Sequence, residues 1–121
     1  DLKVAILNGT DDTTLNRGIG RVPGTAWPGK EGNLALAGHR DGYFRSLKDI
    51  KLGDSIKVSS LSSIYEYEVE NISIVQPDDV SVIQPTKDSV ITLITCYPFY
   101  FIGNAPERYI VRASLKSAKN N

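Results

Sequence analysis

Apolar residues along this chain recur mostly at every second position, the period of a half-buried strand rather than of a helix. The clearest case runs from Ile64 to Val75. Tyr65, Tyr67 and Val69 share one face and Glu66, Glu68 and Glu70 the other, with a change of phase near Asn71 that predicts a bulge or bend. Ser55 to Ser59 alternates in the same way around Ile56 and Val58, and so does Arg108 to Leu115. Asn33 to Gly38 is instead a compact apolar run (Leu34, Ala35, Leu36, Ala37), expected to be a buried strand with His39 directly after it. Val90 to Thr95 is the next strand, ended by Cys96, and Lys3 to Leu7 is a first one, closed by the turn pair Asn8-Gly9.

Helical signals are few. Thr10 or Asp11 can cap a short helix to about Arg17, stopped by Gly18, and Tyr43 to Ile50 predicts one or two helical turns before Leu52-Gly53-Asp54. Gly20 to Gly32 holds Pro23, Gly24, Pro28 and Gly29 and reads as a loop carrying Trp27, while Ser60 to Ser63 is a turn. Gln76 to Ser89 is a long loop with one helical turn, Tyr97 to Pro106 an aromatic loop, and Lys116 to Asn121 a frayed polar tail. Six or seven strands, roughly counted, with little helix favour an all-β, closed barrel over a parallel α/β sheet.

Composition narrows the class. The chain has 121 residues, one domain by length, and its 40% hydrophobic and 23% charged content fits a soluble globule. Its 14 basic and 14 acidic residues give no net charge, which argues against a broad nucleic-acid footprint. No apolar run approaches the roughly 20 residues of a membrane span, and no signal peptide stands at the start. The chain starts abruptly at Asp1, at the edge of the first predicted strand, so a processed or truncated chain is expected, which leaves an N-terminal anchor outside the sequence open. A single Cys excludes an intramolecular disulfide; it fits either a reducing compartment or an exported protein held by core packing alone. One Cys and one His also exclude a metal site built on several such ligands, whereas an all-oxygen calcium site stays open.

His39, Cys96 and Arg108 are the candidates for chemistry. His39 and Cys96 each follow an apolar strand; if those strands are parallel neighbours, both residues reach one rim, and Arg108 opens the strand that returns to it. A thiol near its reference pKa of about 8.5 is only a few per cent thiolate at neutral pH and needs an imidazole to activate it. A guanidinium donates in a planar fork that suits an oxyanion or peptide carbonyls. The trio supports acyl transfer. On composition and spacing alone Cys96 reads equally as a packed core thiol, His39 as structural and Arg108 as a solvated strand end. His39-Arg40-Asp41 spells a kinase catalytic-loop triplet, but the other kinase motifs are missing and the chain is too short for that fold. Asn8-Gly9-Thr10 and Asn71-Ile72-Ser73 match the glycosylation sequon, a weak pattern.

Three ordered motifs carry more weight. Thr92-Leu93-Ile94-Thr95-Cys96 matches the sortase active-site signature Thr-Leu-x-Thr-Cys at every position. Leu36-Ala37-Gly38-His39 resembles the sortase segment bearing the catalytic histidine, and Arg108-Tyr109-Ile110-Val111 the strand that starts with the essential arginine. The likeness extends from Gly18 to Ala113, including Val22-Pro23-Gly24-Thr25 and Leu52-Gly53-Asp54. Cys96-Tyr97-Pro98-Phe99 followed by Gly103-Asn104-Ala105-Pro106 looks most like class D, and no Asp-Pro-aromatic lid of the pilin-polymerising members is visible.

The resemblance implies an eight-stranded closed β-barrel with one or two short helices, a single sortase catalytic domain over residues 1–121. It implies a membrane-anchored enzyme on the outer face of a Gram-positive cell. Such an enzyme cleaves a Leu-Pro-x-Thr-Gly-like signal between Thr and Gly through a thioester on Cys96 and passes the protein to a peptidoglycan-precursor amine. His39 would be acid and base, Arg108 the oxyanion or peptide holder, and Ala37, Ile94 and Thr95 would line the signal groove. No cofactor is implied, and calcium dependence stays open. Two other readings compete: a catalytically silent barrel that binds extended peptides, and an L,D-transpeptidase. The latter carries a Ser-x-Gly-Cys signature, but here Ile94-Thr95 precede the Cys.

Overall fold

One hydrogen-bonded sheet organises the chain. A computed structural model describes residues 6–9, 18–39, 44–60, 62–97 and 106–120, with Leu7, Arg45, Ser46, Cys96 and Tyr97 given by backbone alone. Its strands are β1 (Ile6–Asn8), β2 (Ile19–Arg21), β3 (Gly32–Ala37), β4 (Ser55–Ser59), β5 (Ser63–Val75), β6 (Ser89–Tyr97) and β7 (Glu107–Asn120). They form a seven-stranded sheet in the order β1-β2-β3-β6-β7-β5-β4. The β1–β2 and β3–β6 pairs are parallel; the β2–β3, β6–β7, β5–β7 and β4–β5 pairs are antiparallel. The all-β class expected from the alternation is therefore correct. The expectation of eight strands in a closed barrel is met in part: among the described residues there are seven strands, with β1 and β4 outermost.

The core follows from period two. Leu34 and Leu36 of β3, Ile91 and Leu93 of β6, and Val111 and Ala113 of β7 are paired in register and buried on one face. Tyr67 and Val69 of β5 meet them, and Val58 of β4 closes the cluster. Each such large side chain taken out of water contributes roughly 1.5–3 kcal/mol. The phase change read near Asn71 is a register shift between Val69 and Asn71, and a second one falls between Glu66 and Tyr67. The helical turns expected around Tyr43 to Ile50 and inside the Gln76 to Ser89 loop are 3₁₀ turns, Arg45–Asp49 and Val80–Ile83.

Three expectations change. Gly20 and Arg21 belong to β2 and Gly32 to β3, so the loop before β3 is shorter than its Gly and Pro content suggested. Arg21 explains why this loop is ordered: its guanidinium donates to the Ala26 and Thr25 carbonyls and stacks over Trp27, 3.8 Å from the ring centroid. Cys96 does not end β6, which runs on through Tyr97. The polar tail is not frayed: β7 extends to Asn120, and Ser117, Ala118, Lys119 and Asn120 pair with Glu66, Tyr65, Ile64 and Ser63 of β5. Ladder hydrogen bonds there hold residues that have little apolar surface to bury. The Thr10 to Arg17 helix, most of the Lys3 to Leu7 strand and most of the aromatic loop lie outside the described residues.

Candidate active site

The β3–β6 ladder decides whether His39 and Cys96 can meet. Its last pair is Ala37 with Ile94, and the Gly38 amide donates to the Ile94 carbonyl at 3.1 Å, so the register is still intact one residue further. The constant offset of 57 residues along that ladder is also the spacing of His39 and Cys96. On β6's other side, Cys96 pairs directly with Arg108. Residues opposite one another on neighbouring strands share a face of the sheet. Cys96 and Arg108 thus share a row across β6 and β7, and His39 follows two residues after the last β3 pair, on the other side of β6, with strands about 4.8 Å apart.

Gly38 shapes the approach to His39. A Cβ there would sit 2.8 Å from the Phe44 ring, a buried residue at the head of the Arg45–Asp49 turn. Only glycine lets that ring lie flat on the backbone, and the Phe44 amide then donates to the His39 carbonyl at 3.4 Å. His39 is half-buried, and its Nε2 is buried with no hydrogen-bond partner among the described residues. Such an atom is costly unless something else engages it. Arg108 is half-buried as well, and one guanidinium nitrogen donates to the Glu107 carbonyl at 3.0 Å.

The expected groove residues divide by alternation. Ala37 and Ile94 are paired, and their register positions fall on the same face as the Cys96–Arg108 pair. Thr95 does not join them. It alternates onto the face of Ile91 and Leu93, only 2% exposed, and its hydroxyl is buried with no partner among the described residues. Among the described residues no cluster of three or more His, Cys, Asp or Glu is placed to hold a metal. No helix among them is long and apolar enough to cross a membrane.

Sequence reasoning missed a polar ring two same-face steps down the sheet. The Thr92 hydroxyl donates to Asn33 Oδ1 at 2.6 Å and accepts from Arg112 Nε at 3.2 Å. Asn33 Nδ2 donates to the Val82 and Gln84 carbonyls at 2.8 and 3.1 Å, and Arg112 Nη2 to the Val82 carbonyl at 3.0 Å. A usable signal existed: Asn33 heads an apolar run, and Arg112 interrupts the apolar stretch of the last strand. A cleft of about 500 Å³ opens beside this ring, between Ser81 and Val82 on the loop and Ser73 and Ile110 on the sheet.

Comparison with known proteins agrees with this geometry. A model of the sortase domain matches residues 1–116. Sortase D of Bacillus subtilis is 38% identical over 110 residues, covering 90% of this chain and 56% of that protein. Sortase A of Listeria monocytogenes is 38% identical over 100 residues, covering 79% of this chain and 45% of that protein. The chain therefore spans about half the length of these relatives. Among solved structures, Listeria monocytogenes sortase A superposes with a TM-score of 0.91 at 30% identity, covering 100% of this chain and 83% of that one. A Clostridium perfringens sortase D5 transpeptidase superposes with a TM-score of 0.82 at 32% identity, covering 93% of this chain and 70% of that one.

Proposed function

The chain belongs to the sortase family, and from that premise we propose that residues 1–121 are a class D-like catalytic domain that performs cysteine transpeptidation with Cys96, His39 and Arg108. The observation that supports the reading is the Cys96–Arg108 pair beside a parallel β3–β6 ladder whose offset equals the His39–Cys96 spacing. An extended peptide lying along that face meets Ala37 and Ile94 before it reaches the row. The closed eight-stranded barrel of the family belongs to the same proposal.

The chemistry balances as two acyl transfers. His39 removes the thiol proton, and the Cys96 sulfur attacks the carbonyl carbon of the signal's Thr. The oxyanion that develops is held by the planar donor fork of Arg108. Collapse breaks the Thr–Gly bond, and His39 gives its proton to the departing Gly amine. The sorted protein remains as a thioester on Cys96. A peptidoglycan-precursor amine then attacks the thioester, loses a proton to His39 and leaves the thiol restored. Anchorage in the membrane of a Gram-positive cell, facing outward, fits both substrates. An exported setting also accounts for a disulfide-free domain with one working thiol.

The test is incubation with a Leu-Pro-x-Thr-Gly peptide and an amine, followed by mass spectrometry of the protein. The expected result is a Cys96 acyl adduct, release of the Gly fragment and loss of both in Cys96→Ala. Turnover that survives Cys96→Ala overturns the mechanism.

A further inference from the structure

The Asn33–Thr92–Arg112 ring has no part in the chemistry above, yet it is built with care. Thr92 is fully buried, Asn33 is 2% exposed, two hydrogen bonds join the ring's side chains to one another, and the other three end on the backbone of the loop between β5 and β6. The Val82 carbonyl accepts from both Asn33 and Arg112. That loop, residues 76–88, is long for a connection inside a compact domain, and such loops are usually functional. It has its own local order, since Asp79 caps the Val80–Ile83 turn by accepting from the Ser81 amide. What it lacks on its own is attachment to the sheet.

The attachment matters because of where it stands. Thr92 and Arg112 are paired, as are Ile94 and Ile110, and then Cys96 and Arg108. The ring therefore sits two same-face steps, about 13 Å, from the Cys96 row. The cleft between the Val80–Ile83 turn and the sheet is walled by Ser81 and Val82 and floored by Ile110, the step between.

We infer that Arg112 is a positioning residue that, with Asn33 and Thr92, clamps the Val80–Ile83 turn against the sheet as a wall of the peptide groove. The inference rests on the transpeptidase reading for its kinetic consequence. Arg112 does not touch the reacting atoms; it sets the width of the groove the peptide must fill. The guanidinium is required because its fork reaches the Thr92 hydroxyl and the Val82 carbonyl at once, which a single ammonium cannot do.

The experiment compares wild type, Arg112→Met and Arg112→Lys. Arg112→Met keeps the apolar stem and removes the donors. Steady-state kinetics on a Leu-Pro-x-Thr-Gly peptide should show KM raised about tenfold in Arg112→Met, the loss of a charge-assisted hydrogen bond. Its kcat should change less than about twofold, with Arg112→Lys in between. Alkylation of Cys96 by iodoacetamide, which needs no groove, should keep its wild-type rate. Amide hydrogen exchange across residues 80–84 should quicken in Arg112→Met. An unchanged KM, a fall in kcat alone, or unchanged exchange at 80–84 overturns the clamp. If wild type itself fails to turn over the peptide, the transpeptidase reading falls, while the exchange measurement still decides whether Arg112 holds the loop.

Discussion

Asn33, Thr92 and Arg112 lie toward one end of the β3–β6 pair, and His39 and Thr95 lie at the other. Both sets are polar groups taken out of water on the same two strands and their β7 neighbour. At the first end the polar atoms close a ring with the Val82 carbonyl. At the second, His39 Nε2 and Thr95 Oγ1 are buried with no partner among the described residues. A buried polar atom left without a partner costs about 1–3 kcal/mol, whereas a completed network rigidifies its surroundings. Under the proposed reading the difference separates support from chemistry: a ring whose members satisfy one another holds a loop, and His39 moves protons between thiol and amine.

Breaking each end should therefore give opposite signatures. Replacing His39 by Gln removes the acid–base group and should cut kcat on a sorting-signal peptide by about 10²–10⁴-fold. Its melting temperature should stay within a few degrees of wild type, because Nε2 has no hydrogen-bond partner among the described residues. A large fall in melting temperature with modest loss of turnover would assign His39 to the support end instead. Asn33→Ala should do the reverse. It leaves the Thr92 hydroxyl proton without its acceptor and takes the Asn33 donor from the Gln84 and Val82 carbonyls, of which Val82 keeps Arg112, and calorimetry should register about 2 kcal/mol of lost stability, with Cys96 alkylation unaffected. A melting temperature equal to wild type would show that the ring carries no weight.

The smallest effect sharpens the comparison by supplying a third buried polar group, satisfied but titratable. The Tyr67 hydroxyl accepts from the Gly29 amide at 3.0 Å, and its ring is 1% exposed. Burial raises its pKa above the ordinary 10.0, with a further push from neighbouring Tyr65, while the Gly29 bond opposes both. A phenol whose folded pKa lies above its unfolded value stabilises the fold below pH 10 and loses that contribution as pH rises through the folded value. Thermal melts from about pH 9 to 12 should fall more steeply for wild type than for Tyr67→Phe. Parallel curves would remove Tyr67 from the account. Gly29 fits this arrangement because it has φ +78°, and any Cβ there would lie 2.2 Å from the Tyr65 ring.

Much of this was legible in the residues. Period two gave β4 and the facing of β5, and the change of phase at Asn71 gave its bulge, because a strand shows alternate side chains to alternate surroundings. The stretches around His39, Cys96 and Arg108 marked the candidates and their family, since a nucleophile, a base and a fixed cation are chemically distinctive wherever they stand. The failures share a cause. Gly20, Arg21 and the residues from Lys116 to Asn120 lack apolar alternation, and they became strand only because a neighbouring strand offered its backbone groups. Thr95, inside the signature yet turned from the Cys96 row, shows the same limit, for sequence adjacency does not reveal which face a residue joins.

The sequence by itself determined the class of fold, the family and the three reactive residue types, all of which depend on local pattern and intrinsic chemistry. The tertiary structure alone decided that β3 and β6 run parallel at an offset equal to the His39–Cys96 spacing, that Arg108 stands across from Cys96, and that Asn33, Thr92 and Arg112 close on one loop carbonyl. Those are pairings between residues far apart in the chain. They are fixed by strand register and by the cost of leaving buried polar groups unmet, and no single segment encodes either.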